Sequence, residues 1–383
     1  MEKTFLFNST VNHPLEVAEV GRAAHDFHRK LPGYKPSRLV DVASLTAKLN
    51  LDKVWIKDES WRLGLPAFKI LGASWATYRA LDERFGPFKP WETLPEIKDQ
   101  IAPYKPLALA TATDGNHGRA VARMARWLGL GARVFVPAGT VEARIKGIES
   151  EGAAVTVIDG TYDEAVERAA QEASDRCLVI SDTSWPGYEK VPGWIAEGYS
   201  TIFWETEDSL QEWGERGPDI AIVQVGVGAL ASAVVAHFRR ANQKTPIKIV
   251  SVEPKGSDCA LASMLAGKIV TIPGPHNSIM AGLNCGTPSP LAWPLVSGGI
   301  DLFLSIPDTR AVQGMRELAA VGVTSGETGA SGLGGLLEIL QGENSVELKE
   351  KLGLCETSRV LLISTEGATD PVNYEKVVGM APA

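Results

Sequence analysis

Cysteine is scarce in this chain. Four residues, Cys177, Cys259, Cys285 and Cys355, stand far apart with no C-x-x-C pair. That spacing excludes a zinc ribbon or a dense disulfide framework and reads as reduced thiols of a cytoplasmic protein. No apolar run approaches the ~20 residues that cross a bilayer. The N-terminus lacks the basic-then-apolar pattern of a secretory signal, so no targeting segment is expected. Positive charge is not concentrated either: 38 Lys and Arg against 46 Asp and Glu leave a net charge of −8. This balance argues against nucleic acid or an anionic membrane as a partner. Histidines number six, and the one close pair, His25 and His28, has no third ligand nearby, so no metal site is expected. No internal repeat or low-complexity tract is evident.

What the chain does have is glycine, 38 residues in 383, much of it clustered in short loops between apolar runs. The length suggests two domains. Compact apolar segments alternate with helical patterns: 107–112, 133–137, 154–158 and 177–181 in the middle of the chain, then 220–225, 248–253, 302–306 and 361–364. Strands alternating with helices imply parallel sheets covered on both faces. Residues 108–183 form the expected smaller α/β domain, and 1–107 with 184–383 the larger one. Helices are expected at 15–31, 42–49, 70–81, 120–128 and 193–210, and a glycine-rich helix start at 331–335. Residues 82–106 show no clear period and read as a surface connection.

Several loops carry candidate chemistry. Lys69 follows Leu65-Pro66-Ala67-Phe68 and directly precedes a long apolar-periodic segment. A lysine at a helix start, flanked by Phe68 and Ile70, has dipole and burial both opposing its charge, as an amine nucleophile requires. Thr113-Asp114-Gly115-Asn116-His117-Gly118 lies between a strand and a helix. Asn116 can donate to a phenolate-like oxygen and the loop N–H groups can bind a carboxylate. Asp114 reads equally as an acid in the crevice or a helix N-cap, and His117 as an acid–base group or a backbone brace. Asp182 closes the last strand of the smaller domain, at the edge where open sheets bind ligands. Gly226-Val227-Gly228-Ala229-Leu230 joins a buried strand to a helix. It reads as a plain turn, a phosphate cradle or a dinucleotide turn with Glu253 at roughly the acidic spacing. Ser364 and Thr365 end a strand, where a hydroxyl can bond a neutral ring nitrogen. An amine nucleophile, a phosphate cradle, an amide for a ring hydroxyl and a hydroxyl for a ring nitrogen together describe pyridoxal phosphate held as a Schiff base.

These strings resemble a known family. Ala67-Phe68-Lys69, the 113–118 loop and the 226–228 loop look like the fold type II pyridoxal-phosphate enzymes, the tryptophan synthase β group. Asp182-Thr183, Gly187-Tyr188, Pro192-x-Trp194, 279–286, Ser325-Gly326-Glu327 and Thr365-Glu366-Gly367-x-Thr369-Asp370-Pro371 look more narrowly like the diaminopropionate ammonia-lyases. The resemblance covers residues 5–377. It implies two open, twisted, mostly parallel sheets flanked by helices, with the active site in the interdomain cleft. It also implies Lys69 as the Schiff-base lysine, Asn116 at the cofactor's phenolic oxygen, residues 226–230 at its phosphate, and Ser364 or Thr365 at its ring nitrogen. Lys69 and Asp114 would take the Cα proton of the L and D substrates, Asp182 would hold or protonate the leaving amine, and the chain would be a homodimer. Pro66 and Ala368 depart from the asparagine and aspartate expected in those lyases. The competing readings are a serine or threonine dehydratase-like enzyme and, from another class, a nicotinamide-dependent oxidoreductase.

Overall fold

The computed structural model describes residues 3–11, 15, 20–113, 115–241 and 247–382. Eleven strands are present among them: β1 Phe5–Phe7, β2 Arg38–Asp41, β3 Lys53–Asp58, β4 Ala108–Ala112, β5 Gly131–Pro137, β6 Ala154–Ile158, β7 Cys177–Val179, β8 Ile220–Gln224, β9 Lys248–Pro254, β10 Leu302–Ile306 and β11 Arg359–Ser364. The chain divides into two compact units. One comprises Met1–Gly21, Pro36–Trp61 and Ile202–Ala383; the other comprises Arg22–Lys35 and Arg62–Thr201. The second unit is wider than the 108–183 segment expected from the sequence, because helix Lys69–Phe85 packs on helix Asn116–Leu128.

The first unit is built on a seven-stranded sheet of order β1-β10-β9-β8-β11-β3-β2. Its five inner strands run parallel, and β1 and β2 close the edges antiparallel. The inner strands read as unbroken apolar runs because helices cover both faces; β8 and β10 are buried along their whole length. The chain steps outward from β8 through β9 to β10, then returns to place β11 on the other side of β8. That reversal puts a switch point between β8 and β11, where open sheets leave a crevice at the strands' C-terminal ends. The second unit holds a four-stranded parallel sheet of order β6-β5-β4-β7. Its switch point lies between β4 and β7.

Residues 82–106 are not a plain surface connection. Leu94–Ile101 is helical, with Leu94, Ile97 and Ile101 buried on one face and proline in the first turn. Proline there removes no intrahelical hydrogen bond, so it marks the start of this helix rather than excluding one. The first helix is shorter than expected, Ala23–His28; residues 16–19 of the expected 15–31 span lie outside the described residues. His25 Nε2 meets the Tyr34 hydroxyl at 3.1 Å, whereas His28 bonds the Thr201 hydroxyl at 2.7 Å and the Leu71 carbonyl at 2.9 Å. The two imidazoles thus bind separate partners in the packed interior.

A buried ion pair braces the larger sheet. Lys57 Nζ on β3 lies 2.7 Å from Glu205 Oε2 and 2.9 Å from the Ser37 carbonyl oxygen, with both side chains essentially inaccessible. Ser37 donates its hydroxyl to Glu59 and its backbone N–H to Glu205. Lys57→Met removes the cation from this network, and urea unfolding is expected to show a loss of about 3–5 kcal/mol. The double variant Lys57→Met/Glu205→Leu is expected to recover most of it, since an apolar pair carries no desolvation penalty.

Candidate active site

In the second unit, Lys69 is the first residue of helix Lys69–Phe85, with Phe68 at the cap position and no side chain capping the start. The helix begins where the sequence places it because the apolar period starts at Ile70, which is fully buried with Leu71. Lys69 Nζ reaches the Asp182 carboxylate at 2.8 Å and lies 5.5 Å from the Phe68 ring centroid. Asp182 follows β7 in a tight turn and is 6% exposed. Burial alone would raise its carboxyl, but the charges of Lys69 and His117 and the Lys69 hydrogen bond hold it well below the usual carboxylate range. The turn is fixed by Tyr188, whose hydroxyl donates to the Val179 carbonyl at 2.7 Å and accepts the Ser181 N–H at 3.0 Å. Trp185 stacks on the Tyr188 ring with centroids 4.1 Å apart.

The loop after β4 lies at the same switch point. Thr113 N–H bonds the Phe135 carbonyl, and the Thr113 hydroxyl accepts the Gly115 N–H. Helix Asn116–Leu128 begins at Asn116 rather than at 120. A Cβ at Gly118 would come within 2.3 Å of Thr113 Cγ2 and 2.7 Å of Val134 Cγ1. Only glycine allows the helix to start this close to β5. His117 Nε2 donates to the Ile180 carbonyl at 2.8 Å, tying the β4 loop to the β7 turn. It braces the backbone there, the second of its two sequence readings. Asp114 lies outside the described residues.

In the first unit, Gly226–Gly228 follows β8 and leads into helix Ala229–Phe238. Gly228 caps that helix at φ +101°, a left-handed conformation that favours glycine, and the first turn has neither a side-chain cap nor an acidic residue. Uncapped N–H groups at a helix start free of negative charge are able to hold an anion. On β11, next to β8, the Ser364 hydroxyl lies 2.8 Å from that of Ser325 and is fully buried. Thr365 Oγ1 accepts from Gln224 Nε2 at 3.4 Å, and the same amide reaches the Ile363 carbonyl at 2.7 Å. Glu253 lies near the end of β9, the parallel neighbour of β8, but its carboxylate is already engaged. It is fully buried and accepts the Ala260 and Leu261 N–H groups at 2.7 and 2.9 Å, at the start of helix Cys259–Ala266. Burial pushes its carboxyl up to about 8 against those two hydrogen bonds. An acid spent on a helix start cannot bind a ribose, which removes the support for a nicotinamide cofactor.

Two tyrosines near the Lys69–Asp182 pair are not among the candidate site residues; the sequence reads Tyr199, with Trp185, Tyr188 and Trp194, as hinge and core packing. Tyr162 opens helix Tyr162–Ala170 after a Thr161–Glu164 capping box, and its hydroxyl lies 3.4 Å from Asp182 Oδ1. Its position after β6, at a strand's C-terminal end, is the signal that would have found it. Tyr199 stands mid-helix with no local signal, and its ring centroid is 6.0 Å from Lys69 Nζ. No group of three His, Cys, Asp or Glu side chains able to hold a metal occurs among the described residues. No helix among them is long and apolar enough to cross a membrane.

A lysine amine beside a carboxylate at one switch point, with a glycine-bounded anion cradle and a neutral hydroxyl pair at the other, are the parts shared by enzymes that hold a phosphorylated carbonyl cofactor on a lysine. The uncapped cradle fits a phosphate and the Ser364–Ser325 hydroxyls fit an uncharged ring nitrogen. Residues 30–366 match the family described as "Pyridoxal-phosphate dependent enzyme", and the chain belongs to it. Diaminopropionate ammonia-lyase of Salmonella typhimurium is 39% identical over 374 residues, 94% of this chain and 92% of that protein. The crystal structure of the Escherichia coli diaminopropionate ammonia-lyase with an aminoacrylate-PLP azomethine reaction intermediate superposes with a TM-score of 0.88. It is 35% identical and covers 98% of this chain and 96% of that one. The same enzyme with D-serine gives a TM-score of 0.89 at 34% identity and the same coverage. The fold is that of the fold type II enzymes, as the resemblance implied.

Proposed function

We propose that this chain is a diaminopropionate ammonia-lyase that converts 2,3-diaminopropionate and one water into pyruvate and two ammonia. The observation that carries the reading is the Lys69–Asp182 pair, an amine and a buried carboxylate that its charge keeps ionised, 2.8 Å apart. Lys69 holds the cofactor, Asn116 its phenolic oxygen, Gly226, Val227, Gly228, Ala229 and Leu230 its phosphate, and Ser364 or Thr365 its ring nitrogen. When bound, pyridoxal phosphate withdraws the electron pair left as Cα loses its proton. Lys69 takes that proton from the L substrate and Asp114 from the D substrate. With a cation beside it, as Lys69 is here, this carboxylate stays ionised at neutral pH. Its work is therefore to pair with a cation. Once the amine of Lys69 is engaged elsewhere, the β-ammonium of diaminopropionate is the cation that replaces it. A homodimer in the cytoplasm completes the proposal, by likeness to the family.

Purified protein supplied with pyridoxal phosphate is expected to release keto acid from diaminopropionate faster than from D- or L-serine or L-threonine. Comparable rates on serine would return the assignment to a serine or threonine dehydratase-like enzyme. Asp114→Asn is expected to lower kcat for the D substrate by roughly 10²-fold or more and for the L substrate much less. Equal losses would remove Asp114 from the role of second base.

A further inference from the structure

Within the second unit, the part of helix Lys190–Glu212 up to Thr201 approaches helix Lys69–Phe85 through two glycines. A Cβ on Gly72 would lie 2.6 Å from Tyr199 Cε1, and one on Gly198 would lie 2.6 Å from the Leu71 carbonyl oxygen. The close approach sets the Tyr199 ring against Phe68, with centroids 4.7 Å apart, and beside Lys69 Nζ, 6.0 Å from its centroid. Tyr199 is fully buried, and its hydroxyl has no hydrogen-bond partner at ordinary distance among the described residues. Leaving a buried hydroxyl unbonded costs about 1–3 kcal/mol, so packing alone would favour phenylalanine at this position. Burial pushes the phenol above its usual range; the Lys69 charge and a long hydrogen-bonding interaction with Lys69 oppose this, and Asp182 reinforces it. At neutral pH it is therefore a hydroxyl, able both to give and to accept a hydrogen bond.

We infer that Tyr199 is a positioning residue for the Lys69 amine, its hydroxyl holding Nζ in the neutral form that reacts. The inference rests on the reading of Lys69 as the residue that takes the cofactor. Asp182 only accepts hydrogen bonds and so favours the ammonium; a hydroxyl can also donate to the lone pair of a neutral amine. The two groups divide the work: Asp182 stores the charged amine and Tyr199 directs the uncharged one. In the condensation that reports on this, the aldehyde C=O becomes C=N, and the two hydrogens of the neutral amine leave with the oxygen as one water.

The test is Tyr199→Phe, which keeps the ring and its packing. Three quantities are measured on protein stripped of cofactor. They are the rate at which the visible band grows on adding pyridoxal phosphate, the affinity for pyridoxine 5′-phosphate, which has an alcohol in place of the aldehyde, and the melting temperature. Condensation is expected to slow by at least about tenfold through loss of orientation. Pyridoxine phosphate affinity should stay within about twofold, and the melting temperature should be unchanged or higher, since an unbonded hydroxyl has been removed. A condensation rate close to that of the parent overturns the inference. So does a fall in rate matched by an equal fall in pyridoxine phosphate affinity, which marks a structural defect. Lys69→Ala separates the two readings: if it still takes up the cofactor covalently, the assignment of Lys69 fails. If it does not, and Tyr199→Phe condenses normally, only the role of Tyr199 fails.

Discussion

Lys69→Ala is expected to lower kcat/KM for diaminopropionate by roughly 10⁴-fold or more, because it removes both the covalent anchor and the proton acceptor for the L substrate. Borohydride followed by peptide mass mapping should place the reduced cofactor on residue 69 in the parent and on no residue in the variant. A tag on another lysine would overturn the site. The same substitution has a consequence in the cofactor-free protein. With Lys69 present, the Asp182 carboxyl lies below its unfolded value of about 3.9. A depressed carboxyl contributes stability that is fully present above the unfolded value and is lost as pH falls through the folded one. Without Lys69, only the charge of His117 and a backbone hydrogen bond oppose burial, so the carboxyl rises and its contribution at neutral pH shrinks. The stripped variant should melt below the parent at pH 7, and the gap should close as the medium is acidified below about pH 4. A gap that is independent of pH would mean the pair does not govern Asp182.

Asp182→Asn is the second large effect and the one that decides substrate choice. The amide keeps the shape of the carboxylate and loses its charge, so kcat/KM for diaminopropionate should fall by roughly 10- to 100-fold, the scale of one charge-assisted contact. D-serine, whose β-substituent is neutral, should fall much less. The quantity to report is the ratio of the two specificity constants. A ratio unchanged by the substitution would show that Asp182 orients Lys69 without reading the leaving group. Tyr162 lies 3.4 Å from the other oxygen of Asp182.

Why some of this was legible in advance follows from the kind of signal each residue carries. The parallel sheets announce themselves because inner strands such as β8 and β10 must be apolar on both faces. Asp182, the 113–118 loop, Gly226–Gly228 and Ser364 were legible because each follows a strand's C-terminal end, and open sheets place their crevice there. Glycines were harder to read. The 331–335 run resembled a helix start, yet it lies inside helix Glu327–Gln341. A Cβ on Gly335 would meet Val252 at 2.4 Å, so that glycine serves packing on the sheet. Helix Leu94–Ile101 was obscured because proline near its start resembled a break.

The amino-acid order by itself determined the two-sheet α/β architecture, the lysine at a helix start and the loops at the strand ends, because those signals are local: periodicity, glycine at a turn, and apolar runs buried on both faces. Only the tertiary structure decided that Asp182 meets Lys69, that Glu253 is consumed at a helix start, that Tyr162 meets Asp182 and that Tyr199 lies beside the amine. Each of those pairings joins side chains distant in the chain or carried on different elements. Their energies depend on burial and on a neighbour's charge, neither of which a single stretch of sequence encodes.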